Sequence, residues 1–229
     1  MKNLFVIPAR SGSKGIPNKN IKEINGIPMF IWSIVHAQYI ADKNDIVCLS
    51  SDNEDYLKLA QKWNAETRLR PAELASDTAP TEPVIEDVIS QYDLDENDNI
   101  ILLEPTTPLR SKNSLENLKK LIQDGEESVL SVKKVYQFEW EKLDNENFRP
   151  SYKERPRRQD MLPKYIENGS IYFTKLRIFN ELKNRVGLSS KLIIMDDVES
   201  IDVDGVEQLN LVNTLGKEFN KQWEEEVQK

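Results

Sequence analysis

The chain has 229 residues, a hydrophobic content of 38% and a formal net charge of −8 at neutral pH. No apolar run approaches the roughly 18 residues that cross a bilayer, so the composition favours one soluble globular domain over residues 1–229. The negative charge argues against nucleic acid or an anionic membrane surface as a partner. Met1 leads directly into an apolar run without a signal-peptide pattern, which predicts a cytoplasmic location.

The single cysteine, Cys48, and the single histidine, His36, limit the chemistry that the chain can carry out. A lone cysteine cannot form an intrachain disulfide, and its position in an apolar run predicts a buried thiol. One histidine cannot build a zinc cluster or, by itself, a catalytic triad. Thiol and histidine mechanisms are therefore not expected.

Strand and helix patterns alternate along the first half of the chain. Apolar runs predict strands at 3–9, 45–51 and 99–104, and helical spacing predicts helices at 27–41, 53–64, 82–92 and 112–123. Thr81 is predicted as the N-cap of the third helix. Such alternation is typical of an α/β fold with a mostly parallel sheet, helices on both faces and a ligand beyond the carboxyl ends of the strands.

The loop after the first predicted strand is rich in glycine and positive charge. Gly12 and Gly15 allow backbone N–H groups to approach a ligand closely, and Arg10, Lys14 and Lys19 supply cations. This combination indicates a polyphosphate site, because phosphate oxygens need both N–H donors and neutralising charge. The spacing differs from those of P-loop NTPases and dinucleotide-binding proteins, so it indicates a third kind of phosphate loop.

The stretch IPARSGSKGIPNKN at 7–20 resembles the opening motif of the N-acylneuraminate cytidylyltransferases, the CMP-sialic acid synthetases. Segments resembling four further motifs of that family follow in the same order, at 70–81, 102–110, 157–172 and 200–204. The resemblance implies a Rossmann-like nucleotidyltransferase that transfers CMP from CTP to the 2-hydroxyl of a sialic-acid-type nonulosonic acid, with Mg²⁺, or Mn²⁺ as a substitute. It also implies a nucleotide site formed by Ala9, Arg10, Gly12, Asn20, Arg70 and Thr81.

The segment 102–110, LLEPTTPLR, predicts a polar shelf at the end of the third strand, where Thr106, Thr107 and Arg110 offer donors. Glu104 stands where the family has a glutamine that faces the sugar. A carboxylate accepts hydrogen bonds but cannot donate them, so this departure changes which sugar groups are tolerated. Legionaminic, pseudaminic and Kdo-type sugars therefore stay open as acceptors. A nucleotide-sugar binding module without catalysis is the alternative from a different functional class.

The pattern changes after about 127, where a strand-like run at 128–132 leads into an aromatic-rich segment. That segment predicts a projecting dimerisation arm at 135–167. The resemblance implies a homodimer that exchanges these arms at the active sites, and it leaves open which subunit's site the arginines of the arm complete. It further implies catalysis by Arg158 and a sugar pocket formed by Glu104, Thr106, Arg157, Arg158, Gln159, Asn168 and Tyr172. The pair Asn168-Gly169 is by itself also typical of a turn.

Asp202 and Asp204 alternate in a strand-like run that ends at Gly205. Alternate residues of a strand share a face at about 7 Å, which suits two ligands of a hard cation, although aspartates before glycine are also typical of turns. The resemblance implies that the pair holds the metal and acts in catalysis with Arg10, Lys14 and Lys19. The remaining stretch, 205–227, predicts an amphipathic, solvated C-terminal helix.

Overall fold

The computed structural model describes residues 1–13 and 15–228. The strands of the described chain are β1 (Asn3–Pro8), β2 (Glu23–Ile24), β3 (Ile27–Pro28), β4 (Ile46–Ser51), β5 (Glu66–Leu69), β6 (Asn99–Leu103), β7 (Ser128–Val135), β8 (Trp140–Lys142), β9 (Phe148–Pro150), β10 (Lys164–Lys175) and β11 (Lys191–Met195). The α-helices are α1 (Met29–Ile40), α2 (Glu54–Lys62), α3 (Thr81–Ile89), α4 (Lys112–Gln123), α5 (Leu176–Leu182), α6 (Val206–Phe219) and α7 (Glu224–Val227).

Seven of these strands form one sheet in the order β11-β7-β10-β6-β1-β4-β5. β1 pairs in parallel with β4 and β6, β4 with β5, and β7 with β11. β10 alone runs antiparallel to its neighbours, β6 and β7. The predicted α/β fold with a mostly parallel sheet is therefore confirmed.

Helices cover both faces of the sheet because successive strand side chains point to opposite sides. Phe5 and Ile7 of β1 lie in one apolar core with side chains of α1, α2 and α4. Leu4 and Val6 lie in a second core with side chains of α3 and α5. The thiol of Cys48 is buried in this second core, as its apolar run predicts.

Helix α3 begins differently from the prediction. Thr81 is its first residue rather than its N-cap, because Pro80 holds the preceding extended backbone and no side chain caps the helix. The helix ends at Ile89 rather than 92, and the N–H of Tyr92 bonds to Ile89 in a closing turn. The position of this first turn matters because Thr81 lines a cleft at one edge of the sheet.

The C-terminal segment was predicted as one solvated helix, and this prediction is wrong. A 3₁₀ turn over Asn220–Trp223 separates α6 from α7. It carries Trp223 to a fully buried position, with ring centroids 4.6 Å from His36 and 5.1 Å from Tyr39. Burying the indole against α1 stabilises the core, and its Nε1 donates to the carbonyl of Arg110 at 3.0 Å.

Residues 136–163 leave the main sheet between β7 and β10. They contain the antiparallel hairpin of β8 and β9 and a short 3₁₀ turn at Arg158–Asp160. Large apolar side chains of this arm are exposed, namely Trp140, Leu143, Phe148 and Leu162. Among the described residues, no helix is both long enough and apolar enough to cross a membrane.

Candidate active site

The loops that follow β1, β5 and β6 meet at one edge of the sheet and line a cleft there. This is the edge where ligands bind in open α/β sheets. Eight residues that the sequence analysis singled out line it together: Arg10, Gly12, Lys19, Asn20, Arg70, Thr81, Glu104 and Thr106. Lys14 lies outside the described residues.

The loop after β1 is fastened to the loop after β4. Asp52 accepts from the backbone N–H of Ser11 at 2.7 Å and from its hydroxyl at 2.6 Å. Although burial acts to raise it, these bonds lower the pKa of Asp52, so the carboxylate stays ionised. The side chain of Asn20 donates to the carbonyl of Arg10 at 2.9 Å, which holds the loop from its other end. Sequence reasoning missed Asp52, although its position directly after a buried strand at the same edge was the available signal.

Two cations of this loop each contact a carboxylate from another part of the chain. Arg10 Nη1 lies 2.5 Å from Asp77 Oδ1, and Lys19 Nζ lies 3.1 Å from Asp204 Oδ1. The Lys19 side chain is only 13% exposed, whereas that of Asp204 is 75% exposed. The cations are thus held at the cleft by partners that solvent or a phosphate group can replace.

Gly15 is required by packing against the aspartate segment. A Cβ at this position would lie 2.4 Å from the carbonyl oxygen of Asp204, a distance that no side chain tolerates. A Cβ at Gly12 would meet only Arg10 Nη1, at an ordinary 3.7 Å. Of the two glycines, Gly15 therefore brings the loop after β1 against residue 204, and Gly12 leaves open space at the cleft.

Two polar side chains of the cleft are largely buried. Arg70 donates from Nη2 to the carbonyl of Ser50 at 2.9 Å and from Nε to its hydroxyl at 3.1 Å. Burial lowers the pKa of Arg70, an effect that Asp52 and Glu104 oppose. Asn20 Oδ1 is buried and has no donor among the described residues. Because a buried acceptor without a donor is costly, Asn20 is suited to receive a hydrogen bond from a ligand.

Asp202 and Asp204 do not lie on a strand, which corrects the prediction. Val203 between them makes one backbone bond, to the carbonyl of Thr106 at 2.8 Å, and no ladder follows because the chain enters α6 at Val206. Val203 is buried between them, and the side chains of Asp202 and Asp204 still interact with each other. Burial raises the pKa of Asp202, the Thr106 hydroxyl lowers it, and the neighbouring Asp204 raises it again.

This pair fits a magnesium ion. Mg²⁺ is usually held by one or two carboxylates, with substrate phosphates and water completing its coordination. Among the described residues no group of three or more His, Cys, Asp or Glu side chains could hold a metal, so an all-protein site is not formed there. Two adjacent carboxylates beside a cationic phosphate loop match the substrate-completed kind.

The predicted role of Arg110 as a donor to ligand is wrong. Its guanidinium is completely buried and donates from Nη2 to the carbonyls of Glu104 at 2.6 Å and Ser170 at 2.9 Å. It thereby shapes the turn after β6 from beneath. At the same turn, burial raises the pKa of the Glu104 carboxyl to about 7, and the positive charges of Arg185 and Arg110 limit the rise.

Asn168 and Tyr172 lie beside the cleft rather than in its lining. Asn168 accepts from the Ser131 hydroxyl at 2.6 Å and donates to the Ser200 hydroxyl at 3.0 Å, so it joins β7 and β10 to the segment before the aspartate pair. The Tyr172 hydroxyl donates to Glu167 at 3.0 Å. The guanidinium of Arg185 lies 4.7 Å from the ring centroid of Tyr172. Arg185 stands in no motif of the sequence, so only the structure brings it to this region.

The predicted sugar-pocket residues of the arm do not line the cleft of their own chain. These residues are Arg157, Arg158 and Gln159. Arg157 pairs with Asp160 at 2.7 Å. Arg158 and Gln159 line a shallow surface with Tyr136, within the arm. Whether they act in catalysis or sugar binding stays a prediction.

A model of the cytidylyltransferase family matches residues 4–223. The chain belongs to this family. The match confirms the resemblance that the five motifs indicate, and curated relatives agree with it. N-acylneuraminate cytidylyltransferase B of Danio rerio is 36% identical over 176 residues, which cover 74% of this chain and 41% of the relative. N-acylneuraminate cytidylyltransferase A of the same fish is 32% identical over 77% of this chain and 42% of the relative.

The cytidylyltransferase thus spans about two fifths of the length of these two relatives. It spans nearly all of another, the post-translational flagellin modification protein B of Campylobacter coli, with 32% identity over 96% of this chain and 97% of the relative. The shared region therefore makes up nearly the whole length of that relative.

Two solved structures share the fold. A CMP:2-keto-3-deoxy-manno-octonic acid synthetase complexed with CTP superposes with a TM-score of 0.68 and 16% identity, over 95% of this chain and 99% of that one. A putative glucose-1-phosphate thymidylyltransferase from Bacillus anthracis, in complex with sucrose, superposes with a TM-score of 0.59 and 16% identity. The match covers 94% of this chain and 95% of that one. At these identities the likeness shows the shared fold alone.

Proposed function

We propose that this cytidylyltransferase transfers CMP from CTP to the anomeric 2-hydroxyl of a sialic-acid-type nonulosonic acid and releases pyrophosphate. One observation carries the proposal: Arg10 and Lys19 of the loop after β1 line one cleft with Glu104, and Lys19 contacts Asp204 of the aspartate pair. The names of the fish relatives and the CTP complex of the fold neighbour support the same substrates.

The nucleotide would bind at the end of the cleft formed by the loop after β1. Arg10 and Lys19 would exchange their carboxylate partners for phosphate oxygens, which carry more charge. The buried Oδ1 of Asn20 would accept a hydrogen bond from an N–H or hydroxyl group of the nucleoside. Arg70 is held by Ser50 on one side and lines the cleft on the other, where it would fix the nucleotide's position.

Transfer would take place between the aspartate pair and Glu104. The anomeric hydroxyl of the sugar gives up its proton to solvent as its oxygen forms a bond to the α-phosphorus. The bond from that phosphorus to the bridging oxygen breaks, and pyrophosphate leaves. Such transfers depend mainly on alignment and on neutralisation of charge. Mg²⁺ held by Asp202 and Asp204, or Mn²⁺ in its place, would supply part of that neutralisation when bound.

Glu104 favours a related acceptor as the second candidate. It lies where the resemblance implies a glutamine, so a legionaminic, pseudaminic or Kdo-type acid would meet different hydrogen-bonding groups there than sialic acid. We keep all of these acids as candidate acceptors for the same reaction.

We further propose that two copies associate through the arm at 136–163. Its exposed apolar side chains, among them Trp140 and Leu162, support a protein contact there. Arg158 and Gln159 would then face the cleft of the partner. Sedimentation velocity tests this directly, and a monomer at micromolar concentration would contradict it.

A pyrophosphate-release assay tests the function. It combines the protein with Mg²⁺, one of the four common nucleoside triphosphates, and one acid from a panel of N-acylneuraminic, legionaminic, pseudaminic and Kdo acids. We expect release with CTP and a strong preference for one acid. CTP binding without release for any acid would instead support a binding module, and equal use of all four triphosphates would contradict the nucleotide assignment.

A further inference from the structure

Arg185 lies on the segment between α5 and β11. Its Nη1 donates to Glu82 at 3.1 Å in the first turn of α3, and its guanidinium lies over the ring of Tyr172. These two contacts hold a long side chain in one place. Among the described residues no acceptor contacts its Nε or Nη2, so two donor groups are left for a ligand.

Arg185 also acts on Glu104. After burial, it has the largest effect on the pKa of that carboxyl, ahead of the buried Arg110. Glu104 lines the cleft beside β10, since its N–H donates to the carbonyl of Ser170 at 3.2 Å, two residues before the Tyr172 ring that Arg185 covers. The donors of Arg185 and the carboxyl acceptor of Glu104 therefore lie in one region. A group that presents both a carbonyl and an N–H satisfies them together, because the carbonyl accepts from one and the N–H donates to the other.

The surrounding charges exclude the acid group of the sugar as the ligand of Arg185. Glu82 already pairs with the guanidinium, and Glu167 accepts from the hydroxyl of Tyr172 beneath it. With Glu104 included, three acidic side chains act on Arg185 or on the tyrosine ring that it covers. A further carboxylate would be repelled there, whereas a neutral amide would not.

We propose that Arg185 is a specificity-determining residue that donates to the carbonyl of an acylamino substituent on the acceptor sugar, whose N–H faces Glu104. This inference rests on the proposed function and names the substituent that its acceptor must carry. A sugar with a hydroxyl in place of the acylamino group leaves the donors of Arg185 without a partner and is selected against.

The experiment compares two nonulosonic acids that differ only by an acetamido group in one and a hydroxyl group in the other. Arg185→Met keeps the bulk of the side chain and removes its donors. We expect kcat/KM for the acetamido acid to fall about tenfold or more, with less than a threefold change for the hydroxyl acid and for the KM of CTP. Arg185→Lys keeps the charge but loses the fork of donors, so an intermediate loss of preference is expected.

Lys183→Met is the matched control, since Lys183 joins the same segment to α3 through Glu86 at 2.9 Å without reaching Glu104. Its preference between the two acids should equal that of the parent. An equal loss for both acids in Arg185→Met, or the same change in Lys183→Met, would show a merely structural tether and overturn the inference. If Arg185→Met does not fold, the preference of Arg185→Lys between the acetamido acid and the hydroxyl acid is measured instead. A preference equal to that of the parent then overturns the inference. A parent that releases no pyrophosphate with any acid removes the proposed function, and the inference with it.

Discussion

The two ends of the cleft use charge in opposite ways. At the phosphate end, Arg10 and Lys19 are cations whose carboxylate partners are largely or partly exposed. At the acceptor end, Glu104 is a carboxyl group whose burial raises its pKa to about 7 among arginines. An incoming anion can change the partners of the first set, whereas a change of pH or of substituent acts on the second. Nucleotide binding and acceptor choice should therefore respond to different substitutions.

Asp204→Asn should have the largest effect, because it removes a charge at the boundary between the two ends. We expect kcat to fall about 100-fold or more, roughly 2.7 kcal/mol of transition-state stabilisation, while CTP binds nearly normally. Raised Mg²⁺ or Mn²⁺ should recover part of the loss. Measuring kcat against Mg²⁺ checks this, with the exposed Asp197→Asn as control. Parent-like turnover of Asp204→Asn at limiting Mg²⁺ would assign the metal elsewhere.

Arg10→Ala should separate the phosphate end from the rest. CTP at about 100 times its Kd stabilises a folded protein by roughly 2.7 kcal/mol through mass action, and most of this should disappear in the variant. Asp77→Asn is the matched control, because it breaks the same ion pair but keeps the arginine. Thermal unfolding with and without CTP gives the answer. A full CTP shift in Arg10→Ala would exclude the residue from the nucleotide site.

Asp52→Asn should weaken the same end indirectly, by loosening the loop. The variant loses charge from an acceptor of two hydrogen bonds, and we expect an increase of about tenfold in the KM for CTP with a loss of about 1–2 kcal/mol in stability. Ser11→Ala removes one of those bonds from the other side. The effects of the two substitutions on the KM should not add, since both act on one contact. Additive effects would show that Asp52 acts through something else.

Glu104→Gln should give the smallest effect, confined to the acceptor end. The raised pKa means that the folded parent binds a proton more tightly than the unfolded chain does. That contribution to stability is complete below the ordinary pKa of 4.5 and is lost as the pH rises through about 7. The parent loses this contribution as the pH rises, and the Gln variant does not. The thermal midpoint of the variant, relative to that of the parent, should therefore rise by a few degrees between about pH 5 and about pH 8.

The same variant should change the ranking of acceptor acids more than the KM for CTP. The charged groups that act on Glu104 are three arginines, Arg185, Arg110 and Arg70, and the carboxyl of Asp202, whose own pKa is raised by burial. Midpoints that stay parallel across the range would mean that Glu104 ionises normally. An unchanged ranking would mean that it does not contact the sugar.

Local sequence patterns predicted most elements of the first half of the chain, but not β5, β10 or β11 of the sheet. The alternation of apolar runs with helical spacing predicted β1, β4 and β6 and helices α1 to α4, because burial between two layers imposes a periodicity on each element. Their ends were less certain, as α3 shows, where Pro80 rather than Thr81 precedes the helix. The burial of Trp223 near the end of the chain could not be predicted from the sequence. A short turn in a charged segment has the pattern of an exposed segment, and only its tertiary neighbours show that the indole is buried.

By itself the sequence predicted the cationic end of the cleft, since glycines and cations that follow a buried strand are local features and share one motif. The tertiary structure alone decided the acceptor end. It buried Arg110 beneath the shelf, took the aspartate pair off a strand and brought Arg185 over Tyr172. These outcomes depend on which side chains distant segments place opposite one another, and on how far burial changes their pKa values. No spacing along the chain encodes that.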